Sequence, residues 1–306
     1  MRRDRPSRTA VQVARVVVLL AHEERYAALL PPDLAEAVRG LLIAAGALKE
    51  RHLRRFRAGW YQRFAHWSEK LAEPGHFLHL GLRKRWVEDE TVAALEAGAA
   101  QVLVMGAGMD TLALRLAPRF PEVAFVELDH PASQRAKQRA MERAAGEIGG
   151  VPANLRFLAA DLAAGVPLGE TLAACDAWRP TARSVVVAEG LLMYLAEPVV
   201  RAVFEALRGV TGPGSRVLFS YVSRWSDGRL DLGKRSRLLS AVMKLAGEPI
   251  VWGTTEDELP GYLAGLGYRL GGGRERFDLR SRYLKPAGLG DEALGTLEGV
   301  AVAERI

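Results

Sequence analysis

From about residue 7 to residue 100 the apolar positions recur every three to four residues. From residue 101 they gather into short solid runs separated by helix-spaced stretches. The first pattern predicts a layer of helices, and the second a mostly parallel sheet in which strand and helix alternate. In the helical part, Ser7 or Thr9 caps the first helix, Pro31-Pro32 ends it and Asp33 opens the next. Pro74-Gly75 breaks a third segment before His76, and a long helix then passes through Trp86 to Gly98. Candidate strands occupy 101–105, 123–128, 155–160, 184–189 and 215–221, with further short ones at 268–270 and 276–280. Helices between them start near Thr111, Ser133, Gly169 and Pro198. The expected organisation is a helical lid over residues 1–95 and a sheet domain over 96–306. The sheet domain carries a basic, helical insertion at about 222–255.

Composition adds little to this picture. The chain has 306 residues, 49% hydrophobic and 25% charged, as in ordinary globular proteins. Its single cysteine, Cys175, excludes an internal disulfide, and with no histidine near it reads as a small core residue. The apolar run at 11–21 is interrupted by Arg15 and followed by Glu23 and Glu24, so it reads as a buried helix rather than a leader. No stretch reaches the ~18–20 apolar residues of a membrane span. A cytoplasmic protein without a membrane partner is expected.

Charge is unevenly spread. Residues 1–85 hold seventeen Lys and Arg against eight Asp and Glu, so the first part carries +9 of a net +6 and the remainder −3. Basic clusters such as 51–57 and 83–85 suit nucleic acid, an anionic membrane or an acidic substrate. The simpler reading is a solvated helix face, and a nucleic-acid partner is not expected.

Candidate chemistry gathers at the ends of the apolar runs. The stretch Gln101-Val-Leu-Val-Met-Gly-Ala-Gly-Met-Asp110 reads as a buried strand followed by a tight turn. Gly106 and Gly108 leave room for a ligand where a Cβ would clash. Asp129, 21 residues beyond Gly108, ends the second run and is placed to bind a ribose diol. A nucleoside-containing cofactor follows. The third glycine of a dinucleotide fingerprint is replaced by Thr111, after Asp110, which turns the reading away from a pyrophosphate and towards a cofactor with an amine or sulfonium. Asp161 and Leu162 follow the third run, where the acid either meets an adenine amine or caps a helix. Glu189 ends the fourth run, over the reactive end of such a cofactor, and Tyr194 either shapes the substrate pocket or packs in the core. His76 and His79, beside the lid, are the candidate general bases; His130 is read as structural or near the adenosine. The histidines have no metal-ligand spacing, so no metal is expected.

The residues Arg8-Thr-Ala10, Arg83 to Glu88, Gln101 to Leu116, Phe125 to Lys137, Asp161-Leu162 and Glu189 to Leu195 together resemble the leucine carboxyl methyltransferase family. That family includes protein phosphatase methyltransferases and bacterial small-molecule O-methyltransferases. The resemblance implies a Rossmann-like class I methyltransferase fold with a seven-stranded sheet, binding S-adenosylmethionine. It implies that Arg83 pairs with the methionine carboxylate and Glu189 faces the amine. Gly106 admits that moiety, Asp129 binds the ribose, and Asp161 with Leu162 holds the adenine. Departures are Val17 or Val18 where a basic residue is frequent, and Leu112 in place of an arginine after Asp110-Thr111. The expected reaction is methyl transfer to a carboxylate or hydroxyl of a small molecule, or to a C-terminal carboxylate. An RNA-modifying methyltransferase, a nicotinamide oxidoreductase and a non-catalytic cofactor binder are the alternatives.

Overall fold

Five parallel strands form at the solid apolar runs: β1 (Gln101–Met105), β2 (Ala124–Asp129), β3 (Leu155–Ala159), β4 (Ser184–Ala188) and β5 (Arg216–Val222). With β6 (Tyr268–Leu270) and β7 (Glu298–Arg305) they make a seven-stranded sheet in the order β3-β2-β1-β4-β5-β7-β6. The computed structural model describes residues 7–70, 73–224, 230, 249–272 and 277–306, without the side chains of 147 and 148. All residues of β1 and β4 are buried, as in strands covered on both faces. Alternate side chains feed two cores. Val102, Val104, Val185 and Val302 pack in one core with residues of the N-terminal helices. Leu103, Met105, Val186 and Ala303 pack in the other with residues of the helices between and after the strands. Cys175 is buried in this second core.

The N-terminal helices are α1 (Arg8–Leu20), α2 (Glu24–Ala27), α3 (Leu34–Ala44), α4 (Glu50–Phe56), α5 (Gly59–Lys70) and α6 (His76–Glu96). The sheet is wound with α7 (Leu112–Leu116), α8 (Pro131–Arg143), α9 (Ala145–Ile148), α10 (Leu168–Ala173), α11 (Glu197–Gly209) and α12 (Leu259–Ala264). Ser7 caps α1, its Oγ accepting the Ala10 N–H at 3.1 Å.

Three expectations need correction or fall outside view. The first helix does not run to Pro31-Pro32 but ends at Leu20. Glu23 leaves helical geometry (φ −103°, ψ 108°), and its carboxylate turns to His66 on α5. There is no strand over the described residues 277–280: Asp278 accepts the Ser281 N–H at 3.1 Å and a single π-helical turn follows at Arg280–Leu284. The last strand is β7, where Gly299, Ala301 and Ala303 lack the side chains that mark strands in sequence. Of the insertion at about 222–255, residues 225–229 and 231–248 lie outside the described residues.

His66 ties α5 to the rest of the helical layer. One ring nitrogen lies 2.8 Å from Glu69 and the other 2.9 Å from Glu23. Hydrogen bonds donated to the two carboxylates, Glu23 first, raise its pKa to about 9 against the opposing effect of burial. A raised histidine stabilises the fold fully below its unfolded value and loses that contribution as pH climbs through the folded value. The midpoint of urea unfolding should therefore fall between about pH 6.5 and 9, and His66→Asn should flatten this slope. An unchanged slope in the variant would assign the pH dependence elsewhere.

Candidate active site

A cavity of about 630 Å³ opens at the carboxyl ends of β1, β2 and β4, with α1, α3 and α6 forming its far wall. This is where open α/β sheets hold ligands. Its floor is the turn after β1. Gly106 and Gly108 adopt φ of +64° and +47°, conformations that favour glycine. A Cβ on Gly108 would lie 2.8 Å from Ala10 Cβ on α1, so this glycine also lets the first helix close against the loop. Asp129 at the tip of β2 clamps the turn: Oδ2 accepts the Gly108 N–H and Oδ1 the His130 N–H, both at 2.6 Å. Burial raises the Asp129 carboxyl, and these two amides pull partly against that rise.

Beneath the loop lies a buried ion pair. Lys137 on α8 meets Glu127 in the middle of β2 at 2.7 Å, with both side chains essentially inaccessible. Burial pushes the Glu127 carboxyl up, and the Lys137 ammonium pulls it down. Lys137 also donates to the Asp110 carbonyl, so one ammonium fixes both the strand and the end of the glycine turn.

A second charged network closes another side of the cavity. Arg83 and Lys84, midway along α6, face the tip of β4. Arg83 Nε donates to Glu189 Oε1 at 2.7 Å and Lys84 Nζ to Glu189 Oε2 at 2.9 Å. Arg83 also donates to Glu298, and Lys84 to Asp110. Burial alone would raise the Asp110 carboxyl; Lys84, with Lys137 behind it, outweighs this and holds it at about 2. Asp110, read from sequence as an acid offered to the cofactor's cation, is thus engaged by Lys84.

The other expected residues divide. Asp161 Oδ1 accepts the N–H groups of Ala163 and Ala164 at 3.1 and 3.3 Å, so its helix-capping role is present. Its other oxygen lies 3.6 Å from His130 Nε2, and both residues line the cavity together with Leu162. His130 caps α8, its Nδ1 accepting the Ala132 N–H at 3.2 Å. Tyr194 lines the cavity, half-buried. His76 lines it as well, with Nδ1 3.0 Å from Glu73 Oε2. Glu73 is itself anchored, accepting the N–H groups of Thr296 and Leu297 at 2.6 and 2.8 Å. His79 does not line the cavity: it is buried, and desolvation lowers its pKa to about 4. It is a core residue rather than a base.

Sequence reasoning missed Glu298, Glu73 and the Lys137–Glu127 pair. Glu298 starts β7, which runs antiparallel to β5 and so begins where the parallel strands end, opposite Val222. The acid inside the apolar run Phe125-Val-Glu-Leu128, with a lysine ten residues on, was the available signal for the buried pair.

A family model described as leucine carboxyl methyltransferase matches residues 23–208. A protein of Mycolicibacterium vanbaalenii, provisionally named an S-adenosyl-L-methionine-dependent methyltransferase, is 32% identical over 68% of this chain and 66% of its own. One of the same name from Mycolicibacterium gilvum is 31% identical over 71% of this chain and 68% of its own. The chain thus spans about two thirds of the length of these relatives. Among solved structures, a DUF574 family protein from Streptomyces avermitilis has a TM-score of 0.57 at 15% identity, over 90% of this chain and 99% of that one. A provisionally named methyltransferase from Thermobifida fusca gives 0.53 at 16% identity, over 90% and 98%. These two likenesses show the fold, a Rossmann-like sheet with helices. On the family match over 23–208, with the relatives alongside, the chain belongs to the leucine carboxyl methyltransferase family.

Proposed function

We propose that the protein is a cytoplasmic S-adenosylmethionine-dependent O-methyltransferase that acts on a small molecule bearing a carboxylate or hydroxyl, with residues 1–95 as the lid. One observation carries this reading: an anion-and-cation set at the tips of β2 and β4 surrounds a glycine turn in a cavity of about 630 Å³. The donor set fits the cofactor. Glu189 beside Arg83 and Lys84 is a carboxylate flanked by two cations, complementary to an amino-acid zwitterion with its ammonium on Glu189 and its carboxylate towards the cations. Asp129 would take the ribose hydroxyls, and Leu162 with Asp161 the adenine. When bound, the cofactor supplies a methyl group on a sulfonium.

The chain's own residues would align and dehydrate the reactants. Val13, Val17, Leu34 and Val38 from α1 and α3 form an apolar wall that excludes water. Alignment of this kind is worth ~7–11 kcal/mol where the fit is good. A carboxylate acceptor needs no base. For a hydroxyl acceptor, His76 takes the proton at Nε2, its Nδ1 held by the anchored Glu73.

The test measures S-adenosylhomocysteine release with a panel of phenols and free carboxylic acids. His76→Asn should lower kcat for phenols by about 100-fold or more at little change in KM, while carboxylates keep their rate. Equal loss on both acceptor classes would remove His76 as base. No turnover with any acceptor would reduce the protein to a cofactor binder.

A further inference from the structure

Helix α5 is amphipathic in the reverse sense from a helix that faces water. Apart from Ala65 and Tyr61, which meet the apolar core, its inward face is polar. Gln62 donates to the carbonyls of His22 and Phe56 at 3.1 and 2.8 Å, His66 bridges Glu23 and Glu69, and Glu69 accepts the Phe77 N–H at 2.6 Å. Its outward face carries Trp60, Phe64 and Trp67, which are 60%, 55% and 58% exposed. Steps of four and three residues put the three rings on one stripe along the helix. The other large exposed hydrophobics among the described residues, Val151, Val166, Val251 and Ile306, are aliphatic and separate in sequence.

Exposed charge on α5 and on the helix packed beside it is almost all of one sign. Lys49, Arg51, Arg54, Arg55, Arg57, Arg63 and Lys70 are all exposed, and Glu50 is the single exposed acid between residues 49 and 70. Arg63 and Lys70 flank the rings on α5 itself, and the packed neighbour α4 supplies Arg51, Arg54 and Arg55.

We propose that α5, with α4, is a docking face for an anionic phospholipid surface. Aromatic rings beside a basic rim match the acyl–headgroup boundary, where tryptophan seats its ring and arginine meets lipid phosphate. A second copy of the chain is disfavoured by sign: a two-fold contact through this stripe would bring two arginine clusters together. The rings also stand on a convex helix rather than in the groove or on the platform that stacks successive bases of a single-stranded nucleic acid. Contact is peripheral, since no described helix is long and apolar enough to cross a membrane. The proposal stands independently of the methyl-transfer reading.

The 306-residue protein is sedimented with vesicles of phosphatidylglycerol and phosphatidylcholine, and in parallel with vesicles of phosphatidylcholine alone. Binding is expected only with the anionic lipid, weakened by salt, with a blue shift of tryptophan emission. Trp60→Ser/Phe64→Ser/Trp67→Ser and, separately, Arg54→Glu/Arg55→Glu/Arg63→Glu should each weaken it by about tenfold or more. Thermal unfolding of both variants verifies that they fold. No binding to the anionic vesicles, or equal binding by the folded aromatic variant, overturns the proposal. So does a wild-type dimer that the aromatic variant dissociates without any vesicle binding, or retention by single-stranded RNA alone.

Discussion

Lys137→Met is expected to destabilise the protein by about 3–5 kcal/mol, the cost of leaving a buried charge without its partner. Glu127 sits in the middle of β2 with no access to water, and Lys137 is its ion-pair partner at 2.7 Å. The same ammonium holds the Asp110 carbonyl. Methionine has similar volume and no charge, so the loss isolates electrostatics from packing. The double variant Glu127→Gln/Lys137→Met should recover much of the stability, because removing both charges removes the desolvation cost as well. Urea unfolding measures both. If the single variant loses less than about 1 kcal/mol, Glu127 becomes protonated without penalty, and the pair is not what holds the loop.

The second large effect concerns ligand affinity. Asp129→Asn should weaken S-adenosylmethionine binding by about 10- to 150-fold, the ~1.5–3 kcal/mol of hydrogen bonds made to a charged group. Both carboxylate oxygens already accept backbone amides, Gly108 and His130. The substitution puts an NH₂ group where one of those amides needs an acceptor, so the glycine turn loosens as the ribose partner is lost. The two roles separate by measurement. A drop in thermal stability at unchanged affinity would make Asp129 a clamp only. A drop in affinity well beyond any stability change marks it as a binding residue.

Much of the architecture was legible because of how the sheet is covered. β1 and β4 are buried on both faces, so they read as solid apolar runs, and the acids that end β2 and β4 stood out against them. β7 was invisible for the opposite reason. Gly299 packs where a Cβ would lie 2.5 Å from the Tyr221 ring, and Ala301 and Ala303 are buried in the second core. With that strand went Glu298, the acid that pairs with Arg83. The residue types of the site were therefore visible, but their pairing was not. Arg83, Glu189 and Asp110 were each seen as single charges and Lys84 only as part of the basic cluster 83–85, and only the packing of α6 on β4 makes them one network. On α5 the aromatic and polar residues each recur at helical spacing, a pattern the sequence reading left unused. Helical periodicity is blind to which face turns inward, and the usual assumption would have buried the tryptophans. Glu23, Glu69 and the backbone carbonyls instead draw the polar face in.

Titration calorimetry of the wild-type protein with S-adenosylmethionine, run beside an identical titration with NADH, tests the central reading most directly. One-to-one binding of S-adenosylmethionine, weakened in Asp129→Asn, with no heat from NADH, is the expected result. Heat from NADH and none from S-adenosylmethionine would contradict it.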